Sequence, residues 1–299
     1  MDLKNFFHGK KRTKKSTPPA NVLTVPLLDQ QFQETATKGK GYQPQQLNAA
    51  CGLSVGKQRD HNEDSLFSFT VTVGGETTRV PFGLYIIADG MGGHQYGEVA
   101  SNTALRSVAG ALLRKLIPYI VDQSIGMDEP LQELLRKVIL DAQHAVMQSA
   151  PGGGTTLTAA LVLGAQVTLA HLGDSRAYIL RPDRRIEALT RDHTLVKRLE
   201  ELGQITAEEA AVHPQRNVLY RALGQGEMQE PDIFTTPFPQ PGYLLLCSDG
   251  LWGVVPEDDI YQIIGESVNL QNACQNLVDA ANAAGGPDNI SVVLVQLLG

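Results

Sequence analysis

Cysteine, aromatic residues and long apolar runs are all scarce in this 299-residue chain. Its three cysteines, Cys51, Cys247 and Cys274, are too few and too widely spaced for a disulfide framework or a cysteine-ligated zinc site, which favours a reducing cytoplasm. The longest apolar stretch, residues 157–172, is interrupted by polar side chains, whereas a spanning helix needs roughly 18 uninterrupted apolar residues. Because no apolar region follows the basic N-terminus, we expect neither a signal peptide nor a membrane span.

The composition is otherwise that of a globular protein, with 42% hydrophobic residues and a formal net charge of -7. This acidity argues against nucleic acid as the main partner. The charge is unevenly shared: residues 1–50 contain eight Lys or Arg and three Asp or Glu, a net +5, which leaves -12 for the remaining 249 residues. With no sustained periodicity, residues 1–48 are predicted to form a flexible basic tail, either a solvated arm or an arm that docks on the acidic body.

Residues 49–299 are predicted to form one domain. Alternating apolar and polar residues over 67–73 predict a strand, and further strands are predicted at 82–88, 155–163, 166–172, 176–180, 186–189, 242–247 and 290–297. Short connections between them favour antiparallel pairing. Amphipathic patterns predict helices around 104–112, 131–139 and 270–281, and a small helical insertion at 195–223. The pattern predicts an α+β fold, an antiparallel sheet core with helices on its outer faces.

Two segments, residues 84–93 and 244–253, share one pattern in which an apolar strand leads into Asp-Gly. An acid at the end of a buried strand is rigidly held, and we expect the glycine to let the backbone turn sharply, so that its carbonyl also faces a ligand. The acids are Asp89 and Asp249. A single Asp-Gly is usually only a turn, but the repetition indicates a shared task.

Further acids stand beside other predicted strands: Asp288 precedes the last one, and Glu63 and Asp64 precede the first. If the sheet brings these ends together, the carboxylates repel one another unless cations lie between them. Oxygen ligands without thiolates select Mg²⁺ or Mn²⁺ rather than zinc. Arg59 is the cation of this group and is suited to a bidentate grip on phosphate.

These residues resemble the type 2C, metal-dependent serine/threonine protein phosphatases, especially the bacterial members. The resemblance runs from about residue 54 to 298 and includes eight motifs in the family's order, namely Arg-Asp-His-Asn-Glu-Asp (59–64), Ala-Asp-Gly-Met-Gly-Gly-His (88–94), Gly-Thr-Thr (154–156), Gly-Asp-Ser-Arg (173–176), Leu-Thr-Arg-Asp-His-Thr (189–194), His-Pro-Gln-Arg (213–216), Cys-Ser-Asp-Gly (247–250) and Gly-Pro-Asp-Asn (286–289).

The resemblance implies a β-sandwich flanked by helix pairs, with two Mg²⁺ or Mn²⁺ ions at one end. Asp89 would bridge the ions, the Gly90 carbonyl would bind one of them, and Asp249 and Asp288 would complete the other. Glu63 and Asp64 would hold metal-bound waters, and Arg59 would bind the substrate phosphate. Residues 195–223 resemble the family's flap beside the active site.

The reaction implied is hydrolysis of phosphoserine and phosphothreonine by a hydroxide that bridges the two ions, without a phosphoenzyme. No cysteine has an arginine six residues on, as a thiol phosphatase would require. Met91 stands where eukaryotic members have a histidine, so the candidate general acids are His94, His61 and a metal-bound water. Residues 148–153 lack the acid that we associate with a third metal in bacterial relatives, and the sequence gives that ion no support.

Other interpretations stay open. The chain could be a catalytically silent module that binds phosphoproteins, although the retained acids argue against it, or a hydrolase of small phosphate esters. Asp174 and Asp192 are interpreted as turn residues rather than ligands. We expect a monomeric cytoplasmic enzyme that opposes a serine/threonine kinase.

Overall fold

The computed structural model describes residues 45–74, 79–92, 95–122, 127–226 and 229–299. It contains eleven strands in these ranges: β1 (Gln46–Ser54), β2 (Asp64–Gly74), β3 (Arg79–Met91), β4 (Gly154–Thr155), β5 (Leu157–Leu163), β6 (Gln166–Leu172), β7 (Arg176–Leu180), β8 (Ile186–Ala188), β9 (Asp232–Pro237), β10 (Tyr243–Cys247) and β11 (Ile290–Leu298).

The helices of the described residues are α1 (Gln95–Val121), α2 (Leu131–Ser149), α3 (Leu195–Glu201), α4 (Ala207–Ala211), α5 (Asp249–Trp252), α6 (Glu257–Glu266) and α7 (Leu270–Ala283). Thr206 caps α4 in a capping box with Glu209. Within the described residues no helix combines the length and the apolar character needed to cross a bilayer.

Two antiparallel sheets form the centre of the molecule. One has the strand order β1-β11-β10-β7-β8, and the other has the order β2-β3-β5-β6-β9 with β4 paired to β3. Apolar side chains from both sheets, among them Tyr85, Leu169 and Val293, fill the space between them. A second core lies between the β2–β9 sheet and helices α1 and α2, and a third lies between the other sheet and helices α6 and α7. The central strands are therefore buried on both faces, which explains their nearly continuous apolar sequences.

The predicted α+β class is confirmed, but four elements, β1, β9, α5 and α6, were not predicted from the sequence. Strand β1 begins at Gln46 and pairs with β11 from there to Ser54, so the sheet starts before the predicted domain start at residue 49. Strand β9 mixes polar and apolar residues on the sheet edge, and α6 has only ten residues. Residues 1–44, most of the predicted tail, lie outside the described residues. The three cysteines are unpaired.

Candidate functional site

The acids of the sequence motifs meet at one end of the two sheets. Asp64 is the first residue of β2 and stands directly opposite Asp89, near the end of β3, in the antiparallel register. Asp249 is the first residue of α5, which follows β10 directly, and Asp288 lies two residues before β11. The Asp64 carboxylate accepts hydrogen bonds from Ser248, which directly precedes Asp249, and from Ser291, three residues after Asp288. The structure thus brings these four residues into one acidic pocket.

Asp64, the first residue of β2, is buried and accepts hydrogen bonds from Ser248 and Ser291 at the β10–β11 end of the other sheet. Its Oδ2 atom accepts hydrogen bonds from the hydroxyls of Ser248 at 2.8 Å and Ser291 at 2.6 Å. Its Oδ1 atom is buried and has no hydrogen-bond partner. Burial raises the pKa of this carboxyl to about 6, against the pull of the two serine hydroxyls. A buried oxygen without a partner marks a place where a further positive or hydrogen-bonding group fits.

Asp89 is held through its backbone by the Gly-Thr-Thr motif. Its N–H donates to the Thr156 hydroxyl at 2.9 Å, and its carbonyl accepts from the Thr156 N–H at 2.8 Å and the Thr155 hydroxyl at 2.9 Å. Burial, followed by the charges of Asp64 and Asp249, raises the pKa of the Asp89 carboxyl well above its ordinary value. The carboxylate is therefore fixed in position while its charge is poorly compensated by the protein.

Asp249 is placed by the start of α5 rather than by a strand. The preceding residue is Ser248. The Ser248 N–H donates to the Ser291 carbonyl at 3.0 Å, which ties the helix start to β11. The Asp249 Oδ1 atom is buried without a partner. Burial and the charges of Asp174 and Asp288 raise the pKa of the Asp249 carboxyl well above its ordinary value.

The glycines of the two Asp-Gly pairs serve close packing, which corrects the expectation of a sharp turn. Neither has a positive φ: Gly90 continues β3, and Gly250 lies within α5. A Cβ atom on Gly90 would stand 2.2 Å from the Gly97 carbonyl oxygen, and one on Gly250 would stand 2.0 Å from the Asn289 carbonyl oxygen. Both neighbours are backbone atoms, so any side chain would push main chains apart.

Arg59 and Asp288 form the outer wall of the pocket. The Arg59 guanidinium donates to Asp288 Oδ2 at 2.7 Å, and the side chains are 48% and 28% exposed. Although burial opposes it, the charges of Asp288, Glu63 and Asp249 raise the pKa of Arg59. Because about half of the Arg59 side chain is exposed, its guanidinium can still donate to an incoming anion.

Asn289 positions the loop that carries Arg59. Its amide donates to the carbonyls of Val55 and His61 at 2.8 and 2.9 Å, and its Oδ1 atom accepts from the Glu63 N–H at 2.8 Å. Both ends of the Arg59 loop are therefore tied to the segment that carries Asp288. Asn289 belongs to the Gly-Pro-Asp-Asn motif, but this role could not be predicted from sequence, since its partners lie more than 200 residues away in the chain.

Glu63 and His61 form a second pair beside the pocket. The Glu63 side chain is nearly buried, and its Oε1 atom lies 3.0 Å from His61 Nε2. The Glu63 carbonyl accepts from the Gly90 N–H at 3.2 Å and the Ser101 hydroxyl at 2.6 Å, which joins this segment to β3 and α1. The other candidate proton donor, His94, lies outside the described residues.

Asp174, predicted as a turn residue, lies in the turn between β6 and β7 and is also an acid of this pocket. It is buried, its charge couples to those of Asp89 and Asp249, and burial followed by the charge of Asp192 raises the pKa of its carboxyl to about 7. Trp252 in α5 donates through Nε1 to the Asp174 carbonyl at 3.0 Å. The repeated strand-end acids could have signalled it, because Asp174 also stands at a strand end, two residues after β6.

The pocket fits divalent cations that bind oxygen ligands. It gathers five carboxylates, two of which have a buried oxygen without a partner. In the described ranges no three His, Cys, Asp or Glu side chains already surround one point as a ligand shell. The fit therefore rests on charge and on the unpartnered oxygens, and it suits an ion such as Mg²⁺ that keeps several waters and binds few carboxylates.

Comparison with known proteins agrees with this geometry. The sequence matches the family described as protein phosphatase 2C over residues 52–290. It is 38% identical over 251 residues to the serine/threonine phosphatase stp of Listeria innocua, covering 84% of this chain and 96% of that protein. It is 35% identical over 243 residues to the protein phosphatase PhpP of Streptococcus pneumoniae, covering 81% of this chain and 94% of that protein.

Solved structures give the same result. The Mycobacterium tuberculosis serine/threonine phosphatase PstP/Ppp matches with a TM-score of 0.69 and 32% identity over 85% of this chain and all of that one. The catalytic domain of serine/threonine protein phosphatase PstP, solved with two manganese ions, matches with a TM-score of 0.67 and 31% identity over 85% of this chain and all of that one. Since the family match spans most of the sequence and these relatives are covered almost end to end, the chain belongs to the protein phosphatase 2C family.

Proposed function

We propose that this protein is a metal-dependent phosphatase that hydrolyses phosphoserine and phosphothreonine in proteins. The observation that carries the proposal is the pocket of buried carboxylates with unpartnered oxygens on Asp64 and Asp249, bordered by the half-exposed guanidinium of Arg59. Its relatives in Listeria innocua and Mycobacterium tuberculosis are serine/threonine phosphatases, which supports the substrate class.

Asp89, Asp249 and Asp288 are the proposed ligands of two Mg²⁺ or Mn²⁺ ions, together with the Gly90 carbonyl. When bound, such ions supply positive charge for the transferred phosphoryl group and lower the pKa of a nearby water. We propose two ions because the structure of the related PstP catalytic domain contains two manganese ions. Asp64 and Glu63, both nearly buried at the pocket floor, are proposed to hold and orient water.

Arg59 is the proposed phosphate-binding residue. Its hydrogen-bond partner Asp288 is itself a proposed metal ligand. A cation bound to Asp288 would weaken the Arg59–Asp288 ion pair, and the guanidinium N–H groups could then donate to the substrate phosphate. Asn289 holds this loop against Asp288 and so keeps the phosphate-binding cation at a fixed place. The proton donor to the leaving alkoxide stays a prediction with His61, His94 and a metal-bound water as candidates.

The test is hydrolysis of a phosphothreonine peptide with and without chelator. We expect EDTA to abolish turnover, Mn²⁺ to restore it, and Asp249→Asn to lower kcat/KM by at least about 100-fold, because one of the few charges that hold the ions is lost. Asp279→Asn, on the exposed face of α7, is the matched control and should leave turnover unchanged. Full turnover in EDTA would refute metal dependence, and turnover of metabolite phosphates alone would favour a small-molecule hydrolase.

We also propose that the basic tail, which precedes β1, is a segment separate from the catalytic domain. The domain would then begin at Gln46, the first residue of β1, rather than at residue 49. The tail's opposite charge to the body supports electrostatic docking over a purely solvated arm. A partner serine/threonine kinase, a monomeric state and a cytoplasmic location stay predictions.

A further inference from the structure

The flap, residues 195–223, leaves and rejoins the β-sandwich beside the acidic pocket. At its start, Thr194 forms a bridge with Leu219, and the Leu195 N–H donates to the Val218 carbonyl at 2.7 Å. At its end, Leu223 exchanges two backbone hydrogen bonds of 2.9 Å with Thr155. Thr155 pairs in turn with Gly90 in the β4–β3 register. The returning segment, residues 219–223, is therefore one strand away from the Asp89-Gly90 pair.

A polar anchor holds this returning segment at its midpoint. Arg221 donates through Nη1 to Asp232 Oδ1 at 2.9 Å, at the start of β9. The other carboxylate oxygen, Oδ2, lies 3.1 Å from His193 Nε2. The Tyr220 N–H donates to the His193 carbonyl at 2.9 Å, and the Tyr220 ring stands edge-on to the imidazole. Arg221, Asp232 and His193 form one unit, which we call the flap anchor.

His193 connects the flap anchor to the acidic pocket. The Gly173 N–H donates to His193 Nδ1 at 3.0 Å, and the other ring nitrogen, Nε2, lies 2.9 Å from Arg221 Nη1 and 3.1 Å from Asp232 Oδ2. Gly173 directly precedes Asp174, one of the pocket acids. His193 is 1% exposed, and its ring packs against His171 at a centroid distance of 4.9 Å. The flap anchor therefore packs against the turn that carries Asp174, which places the flap beside the acidic pocket.

The flap itself carries apolar side chains in solvent. Val212, Val218 and Tyr220 are 79%, 46% and 40% exposed. A small phosphate ester that fills only the acidic pocket has no need of these groups, whereas a phosphorylated peptide extends beyond the pocket and can contact them. The position of the flap thus matters for the peptide more than for the phosphate.

We propose that Arg221, held by Asp232 and His193, is a positioning residue that fixes the flap beside the acidic pocket and so gives the enzyme its preference for phosphorylated peptides over small phosphate monoesters. This inference rests on the proposed phosphatase function. Arg221 acts through the flap backbone and touches no reacting atom. Its loss leaves Asp232 with one donor and frees the returning segment between its bridges at Leu219 and Leu223.

The experiment compares the full-length chain with Arg221→Gln, Arg221→Lys and Asp232→Asn, using a phosphothreonine peptide and p-nitrophenyl phosphate under saturating Mn²⁺. We expect Arg221→Gln to lower kcat/KM for the peptide by about tenfold or more, mainly through KM, and to change that for p-nitrophenyl phosphate by less than about threefold. Asp232→Asn should act in the same direction, and the double variant should lose little more than Arg221→Gln alone.

Arg136→Gln is the matched control. Arg136 donates to Glu230 at 3.1 Å, two residues from Asp232, and this exposed pair makes no hydrogen bond to the flap. Arg136→Gln should leave kcat/KM unchanged for both substrates. Thermal unfolding of each variant separates lost positioning from a lost fold.

Equal losses for both substrates, or unchanged peptide turnover, would overturn the inference while leaving the phosphatase function intact. If Arg221→Gln does not fold, the substrate ratio of Arg221→Lys and Asp232→Asn decides, and failure of all three to fold would show that the anchor is only structural. A wild-type protein that hydrolyses neither substrate would refute the proposed function and the inference with it.

Discussion

Residues 84–93 and 244–253 have nearly the same sequence pattern, yet they bring an aspartate to the acidic pocket by different backbone routes. Asp89 stays in a strand and faces Asp64 across the ladder. Asp249 leaves its strand and opens the short helix α5. An apolar strand followed by Asp-Gly therefore specifies where the carboxylate lies, at the edge of the sheet, but not the backbone conformation that follows it.

The partners that support the two aspartates also differ. The Asp89 backbone is held by Thr155 and Thr156, which lie in and beside β4 of the same sheet. The Asp249 segment is held through Ser248, whose hydroxyl accepts from the Ser291 N–H at 2.9 Å and donates to Asp64 at 2.8 Å. The two regions are alike in what they present to the pocket and unlike in how they are fixed.

The strongest test of the comparison is to add a methyl group to both glycines. Gly90→Ala and Gly250→Ala each place a Cβ atom against a backbone carbonyl, so we expect each to lose about 1–3 kcal/mol or more of unfolding free energy, together with most of the activity. Urea unfolding and Mn²⁺-dependent turnover measure the two effects.

Gly265→Ala is the control for this pair, because a Cβ atom at that position in α6 meets nothing within 4 Å. It should be neutral or stabilise the protein by up to about 1 kcal/mol. If Gly90→Ala were as harmless as Gly265→Ala, the close approach of β3 to α1 would not explain the glycine.

A second test separates the two sets of supports. Thr156→Val leaves the buried Asp89 N–H without its acceptor, and Ser248→Ala removes a donor from Asp64, so each should cost about 1–3 kcal/mol. We expect each to raise the Mn²⁺ concentration needed for half-maximal activity by about tenfold or more, because outer partners orient metal ligands.

Thr235→Val is the control: it takes from the buried Thr168 hydroxyl its partner at 3.0 Å between β6 and β9, so it should also cost about 1–3 kcal/mol of unfolding free energy, but it should leave the Mn²⁺ requirement unchanged. An unchanged Mn²⁺ requirement in both Thr156→Val and Ser248→Ala would show that these hydroxyls serve only folding.

The smallest expected effect is a change in how the unfolding free energy depends on pH, and it concerns only the hydrogen bonds that support Asp89. His171 is buried, and burial lowers the pKa of its imidazole to about 3. The Thr158 hydroxyl that contacts His171 Nδ1 at 2.9 Å also donates to the Ser175 carbonyl, and the Ser175 hydroxyl contacts that of Thr156. The imidazole therefore supports the chain of hydrogen bonds that ends at Asp89.

The His171 imidazole takes up a proton near pH 6.5 in the unfolded chain but only near pH 3 in the folded one. Its contribution to the unfolding free energy is therefore fully present above pH 6.5 and is lost as the pH falls toward 3. We expect His171→Gln to be about 1–3 kcal/mol less stable at pH 8 and to show a smaller loss between pH 6.5 and 4. Burial also lowers the pKa of His193, so the slope should shrink rather than vanish. An unchanged slope in urea unfolding would contradict this assignment.

Much of the site could be predicted from sequence because each acid stands at the end of an apolar strand, and strand ends in a sandwich meet at an edge. Asp174 lies in the turn between β6 and β7, as its motif predicts, but the motif gives no sign that this turn is buried beside Asp89 and Asp249. Strand β1 was not predicted, because its first residues follow a polar segment and become a strand only by pairing with β11.

The sequence by itself determined the fold class, the strands that end in acids and the family of the protein, because apolar periodicity and short motifs are local properties of the chain. Only the tertiary structure decided which backbone atoms press on Gly90 and Gly250, how Asn289 ties the Arg59 loop to Asp288, and how the flap anchor reaches Gly173. Those contacts join residues far apart in the chain, so they exist only once the two sheets have packed and excluded water from the groups between them.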